Sequence, residues 1–302
     1  MPFLRPLLLT IFTLGTLFSL ATKPTSAQEL PPLPIQFDPD TLINPGRPGG
    51  RRRGGGSRGG CQADLPLSAI AYANTSSSTE FNVSVMDETV GTLTTQAQPT
   101  LWFYLPQPLS TDTKTTFGIQ NGNGETLYTG QLIGNTDDAG IVSAPLANTP
   151  VFLEAGTPYQ WFLILECEGE SNTVNGWVER RMVESDLTQA LTQVNARSRA
   201  ALYANYGYLQ DAISDLALLR LSEPEDEAIA QDWVNFLSAL DLTDLTAAPL
   251  LNCCQIADAQ APIEQPELQQ TEPTEPESVP EQIEVDEETD TRTILQRARD
   301  KG

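Results

Sequence analysis

The chain has 302 residues, a net charge of -23 and no histidine. The missing imidazole excludes histidine triads, histidine-ligated metals and acid–base catalysis through that ring. The charge excludes nucleic acid and anionic membrane as partners of the whole protein, because phosphate binding rests on positive potential.

Residues 1–27 read as an export signal: Arg5 supplies positive charge, residues 6–20 are mostly apolar, and Thr25-Ser26-Ala27 ends in the small-residue pattern that precedes cleavage before Gln28. An apolar run of about 15 residues reaches only about 22 Å as a helix, against a hydrocarbon core of about 30 Å, so removal is expected rather than retention as an anchor. No later stretch is long enough to span a membrane. The mature chain is expected in the periplasm, at the cell surface or in the medium.

Residues 28–60 hold Pro31, Pro32, Pro34, Pro39, Pro45 and Pro48, then a glycine-rich stretch from Gly46. Such a composition buries too little apolar surface to offset backbone entropy, and a disordered arm is expected. Arg47, Arg51, Arg52, Arg53 and Arg58 fall in it and are candidate contacts for an anionic partner such as envelope polysaccharide, or for the chain's own acidic end. No aromatic residue interleaves with them for base stacking, and a solvated spacer is the plainer reading.

Between residues 61 and 181 short runs of β-branched and aromatic residues alternate with turn residues. Strands are expected at 67–73, 100–105, 115–120, 126–132, 141–144, 159–166 and 173–179, with Asn121-Gly122-Asn123-Gly124 as a hairpin turn. About seven strands so arranged predict an antiparallel, immunoglobulin-like β-sandwich. In 100–105, Leu101, Phe103 and Leu105 would face one side and Trp102 and Tyr104 the other. The Ser/Thr-rich stretch 74–98 reads as a long loop with one strand at 81–86.

From 182 to 254 the apolar period becomes helical, giving an α+β chain with a C-terminal helical layer on the sheets. Leu187, Leu191 and Val194 mark a first helix, Leu209, Ile213 and Leu216 a second, and Ile229, Trp233, Phe236, Leu237 and Leu240 a third, which Ser222 would cap. Residues 200–226 are also similar to one tetratricopeptide hairpin, though no second copy follows. Residues 255–302 begin with twelve acidic and no basic residues up to Asp290, interspersed with proline, and predict a disordered acidic tail.

The chain contains no P-loop, dinucleotide-binding glycine motif or nucleophile elbow, and its cysteines lack zinc-ligand spacing, so neither cofactor nor metal is expected. Glu166, Glu168, Glu170 and Glu179 read as solvated strand ends. Trp102, Tyr104, Trp161 and Trp177 fall in strands and are the candidate ligand-binding residues if exposed, with core filling as the plainer reading. Cys61 and Cys167 are expected to pair in an oxidising compartment; the bond would close a loop of about 107 residues and stabilise the fold by about 4–5 kcal/mol. Cys253 and Cys254 are adjacent, a strained arrangement, and are expected to stay reduced or to pair between molecules.

Six pieces in order carry a family likeness: GRPGGRRRGGGSRGGC at 46–61, PTLWFYLP at 99–106, GIVSAPL at 140–146, LEAGTPYQWFLILEC at 153–167, VNGWVERR at 174–181 and ALYANYGYLQDAISDLALLR at 201–220. Together they resemble the cyanobacterial DUF928 family. Where that family has Asp after the second cysteine and then an Arg-Ser pair, this chain has Glu168 and Ser171-Asn172. The resemblance implies a cyanobacterial envelope or secreted protein and supplies no reaction. The expectation is a non-enzymatic binding or scaffolding protein whose partner is an envelope protein or polysaccharide. Its rivals are a carbohydrate-binding module using the strand aromatics and a carboxylate-dependent glycan hydrolase.

Overall fold

The computed structural model describes residues 49–54, 64–80, 83–167 and 170–258. All of them fall in the unit Met1–Ala261; the second unit, Pro262–Gly302, lies outside the described residues, as do residues 1–27, expected as an export signal, Cys61 and the rest of the acidic tail. Among the described residues are ten strands: β1 (Ser68–Ala69), β2 (Tyr72–Glu80), β3 (Val83–Thr94), β4 (Thr100–Leu105), β5 (Lys114–Gln120), β6 (Thr126–Ile133), β7 (Gly140–Pro145), β8 (Pro158–Cys167), β9 (Glu170–Arg180) and β10 (Gln255–Asp258). Four α-helices follow β9: α1 (Ser185–Leu191), α2 (Ala196–Asn205), α3 (Leu209–Ser222) and α4 (Glu227–Ala239). None of these helices is long and apolar enough to cross a membrane.

The strands form two sheets, a three-stranded one ordered β1-β4-β7 and a seven-stranded one ordered β10-β6-β5-β8-β9-β3-β2. Alternation along β4 explains the layering. Leu101, Phe103 and Leu105 enter the core between the sheets with Phe117, Ile119, Leu163 and Leu165. Trp102 and Tyr104 point the other way, into a second core with Ile213, Leu216, Trp233 and Phe236 of the helices. The small sheet is thus buried on both faces, and the fold is an α+β sandwich covered by helices. At the centre Phe103 meets Trp161 edge to face, ring centroids 5.5 Å apart at 74°.

Several expectations require correction. Stretch 74–98 is chiefly a hairpin: β2 and β3 pair antiparallel from Tyr72↔Gly91 to Glu80↔Val83. It lacks the apolar alternation of a half-buried strand because β2 forms an edge of the large sheet. The sheet is mixed rather than wholly antiparallel, since β3 joins β9 in parallel over Gly91–Thr94 and Trp177–Arg180. The expected hairpin at Asn121 does form. Asn121 Oδ1 accepts from the amides of Asn123 and Glu125, both at 3.0 Å, and Gly124 takes φ +81°, a conformation costly for any residue with a Cβ.

The helical region contains one helix more than its apolar period indicates. α2 carries a short alanine face, Ala200, Ala201 and Ala204, that packs closely without a strong hydrophobic stripe. Asn195 caps it, Oδ1 accepting from the Ser198 amide at 2.8 Å. α4 is capped by Asp226, which accepts from the Ile229 amide at 3.0 Å, and not by Ser222, the last residue of α3. Helices α2 and α4 are tied by Arg197 and Asp232, with Nε to Oδ2 at 2.5 Å and Nη2 to Oδ1 at 3.1 Å.

Two segments expected to be disordered are partly built into the fold. Residues 49–54 form a strap. Arg51 and Asn175 exchange two main-chain hydrogen bonds of 2.9 Å on the large sheet, while Gly54 donates to Leu67 O at 2.6 Å and Ala69 to Arg52 O at 2.8 Å beside the small one. Apolar content did not reveal this because main-chain pairing holds the segment. Gly50 allows the approach: a Cβ there would sit 2.9 Å from the Asn175 carbonyl. The start of the expected tail forms β10, which pairs with β6 from Gln255↔Ile133 to Asp258↔Gly130. Ile256, buried in the sandwich core, supplies its apolar anchor.

Candidate functional site

The four strand aromatics are interior residues. Trp161 lies at the sandwich centre, and Trp102 and Tyr104 lie beneath the helices, with Trp102 Nε1 donating to Ser214 Oγ at 3.1 Å. Trp177 is buried as well, at 4% exposure. Burial raises the Tyr104 phenol above its ordinary value, and Asp64 adds to the shift. No ring among them presents the exposed face that stacking on a sugar requires. Glu179, expected at a solvated strand end, is buried beside Arg181, with Oε1 accepting from Nε at 3.0 Å. Glu166 and Glu170 are exposed as expected, and Glu168 lies outside the described residues.

Two of the three arginines of the strap, Arg52 and Arg53, engage the protein itself through their side chains. Arg52 donates from Nη1 to the Leu240 carbonyl and from its main-chain nitrogen to Glu88 Oε2, the latter at 3.0 Å. Burial lowers the pKa of its guanidinium, and Glu88 opposes that shift. Arg53 forms a two-pronged pair with Asp244, 2.7 Å in each prong, which holds the Asp244 carboxyl below its usual range. Of the described arginines in this segment only Arg51 is exposed, and Arg47 and Arg58 lie outside the described residues. Within the described segment, Arg52 and Arg53 are thus committed to partners in the chain, and Arg51 faces solvent.

One face of α3 carries a polar cluster that the helical apolar pattern hid. Gln210 accepts from Thr92 Oγ1 at 3.0 Å and donates to the Thr100 carbonyl at 2.5 Å. Asp211 accepts from the Thr95 amide at 2.8 Å and from Thr95 Oγ1 at 3.0 Å. Burial pushes the Asp211 carboxyl up, and the hydrogen bonds from Thr95, Thr94 and Gln96 pull it back. Asp215, one turn along, is held by Arg199 at 2.6 and 2.8 Å. The cleft bordering this cluster measures about 160 Å³. The bonds of Gln210 and Asp211 run to β3, β4 and the connection between them and make the cluster a clamp. Acid–base hydrolysis needs two carboxyls with pKa values pushed apart, and here the second is committed to a guanidinium.

A larger concavity lies on the helical side. Helices α3 and α4 and residues 246–252 enclose a groove of about 500 Å³. Leu221, Ala230, Val234, Ala248 and Leu250 line it, and Arg220 is the one ionisable residue of the lining. Arg220 is steered by its own turn, donating from Nη1 to the Pro224 carbonyl. The volume lies inside the range of about 300–1,000 Å³ usual for small-ligand sites. Periodicity marks these helix faces as apolar without showing that part of the surface stays open.

Cys253 and Cys254 are bonded to each other, contrary to the expectation that neighbours stay reduced or pair between molecules. Cys254 takes φ +89°, a turn that brings the adjacent side chains together. Cys167 is also disulfide-bonded; Cys61, the partner expected for it, lies outside the described residues.

Among curated proteins none matches the sequence. The family model described as a Domain of Unknown Function, DUF928, matches residues 53–250. That span begins at Arg53, in the strap, and ends at Leu250, which bridges Ile141 of β7. It takes in the sandwich, the clamp and most of the groove, and stops short of the paired cysteines and β10. The match covers more than half of the sequence, and the chain belongs to the DUF928 family.

Proposed function

We propose that the chain is an exported cyanobacterial envelope protein that acts by binding or scaffolding rather than by catalysis, with the groove between α3, α4 and residues 246–252 as its contact surface. The groove carries this reading: it is open, lined largely by apolar residue types with polar atoms exposed among them, and about 500 Å³ in volume, with a single cation at its border. Amphipathic surfaces of this kind take the apolar part of a partner and orient it through one polar contact. The leader at 1–27 and the bonded state of Cys167, Cys253 and Cys254 support an oxidising destination. Interior placement of the strand tryptophans speaks against the carbohydrate-binding alternative, and the commitment of Asp215 to Arg199 against the hydrolase.

Two measurements test the proposal. Cell fractionation should recover a chain beginning at Gln28 outside the cytoplasm; an uncut cytoplasmic chain would refute export. Mature protein used as bait in envelope extract should retain a partner, and Ala230→Arg, which fills the groove from α4, should weaken retention roughly tenfold, about 1.4 kcal/mol, with the folded spectrum unchanged. Equal retention by the folded variant would remove the groove from the function.

A further inference from the structure

We infer that the Cys253–Cys254 disulfide is a redox-operated latch that holds the edge strand β10 on the large sheet. A disulfide staples a fold by constraining the unfolded chain, and that effect grows with the length of loop it closes. A bond between sequence neighbours closes almost none. Its consequence is therefore local, and its position shows what it shapes.

The segment before it is fixed to the small sheet, where Leu251 N donates to Ile141 O at 2.9 Å and Ser143 Oγ donates to the Cys253 carbonyl at 2.8 Å. The segment after it is β10, on the edge of the other sheet. The chain crosses between the layers at these two cysteines and turns at Cys254, whose φ of +89° is a conformation that residues with a Cβ seldom adopt. Cyclising the pair holds that turn and so aims Gln255–Asp258 along β6. Four residues with one buried apolar side chain, Ile256, are a weak strand by themselves.

Both cysteines are partly exposed and pack against the edge of the sandwich core. The reductant is a dithiol. Its thiolate attacks one sulfur of the pair and breaks the bond to the other, which leaves as thiolate and takes up a proton. The second thiol of the reductant then displaces the mixed disulfide. The reductant becomes a disulfide, giving up two electrons and two protons, and Cys253 and Cys254 end as thiols. Released from the ring, Cys254 relaxes to negative φ and β10 loses its aim. This bares the edge of β6, a ready-made template for another strand.

The test is hydrogen exchange on the full chain, resolved by residue, before and after treatment with dithiothreitol under native conditions, with the resulting thiols mapped. With Cys253 and Cys254 reduced, amides of Gln255–Asp258 should exchange roughly tenfold faster, while those of Leu163 and Leu165 in β8 keep their protection. The variant Cys253→Ser/Cys254→Ser should behave like the reduced chain without reductant. Cys253→Ser/Cys254→Gly should recover part of the protection, because glycine accepts positive φ without a ring. Unchanged exchange at 255–258 on reduction, or equal acceleration throughout the sandwich, would overturn the latch. Equal rates for the Ser/Ser and Ser/Gly variants would overturn its operation through the Cys254 backbone. None of these readings depends on what the groove binds.

Discussion

Asp211 shows at the scale of one residue how this fold places a carboxyl where water is scarce. It is 6% exposed, and its folded pKa lies above the usual 3.8 because burial penalises the charged form. A raised carboxyl pKa contributes stability that is fully present below the unfolded value and is lost as pH rises through the folded one. The wild type should therefore lose stability relative to Asp211→Asn as pH climbs from about 4 towards neutrality, where the asparagine carries no charge to desolvate. Urea unfolding of both chains at several pH values reads the difference. A constant gap across that range would mean that Asp211 ionises as easily folded as unfolded.

Among the elements, the start of α4 offers a direct comparison of two caps. Ser222 has the residue type and spacing of a cap, but in the fold its hydroxyl donates back to Leu219 O at 3.0 Å as α3 ends. Asp226 accepts from the Ile229 amide and also places negative charge at the positive end of the helix dipole. Asp226→Ala should cost about 1 kcal/mol in denaturant unfolding, and Ser222→Ala no more than about 0.5 kcal/mol. Comparable losses from the two would return the cap to Ser222.

Across the whole molecule the strap at 49–54 joins all three layers. Its main chain pairs with β9 of the large sheet and with Leu67 and Ala69 near the small one, while Arg52 and Arg53 reach Leu240 and Asp244 after α4. The two arginines are expected to matter unequally. Arg52 is partly desolvated and satisfies a main-chain carbonyl, so Arg52→Ala should cost about 1.5–3 kcal/mol. Arg53 and Asp244 stay 31% and 40% exposed, and Arg53→Ala should cost no more than about 1 kcal/mol, less at high salt. Thermal unfolding at low and high salt would separate them; a larger, salt-independent loss at Arg53 would reverse the assignment.

The sequence by itself determined the local geometry wherever one periodicity governed a segment. Residues 100–105 are a short run rich in aromatic and aliphatic residues and form β4 with both faces assigned as expected, Asn121 to Gly124 make the turn their conformational freedom favours, and the stripe from Ile229 to Leu237 is the buried side of α4. Tertiary structure decided what depends on partners distant in the chain. It placed the tryptophans inside, since a strand pattern states which residues share a face but not whether another layer covers it. It drew an arginine-glycine segment into two sheets through main-chain bonds that composition does not encode. It joined neighbouring cysteines where the chain crosses between layers, and it left one helical face open as a groove beside residues 246–252.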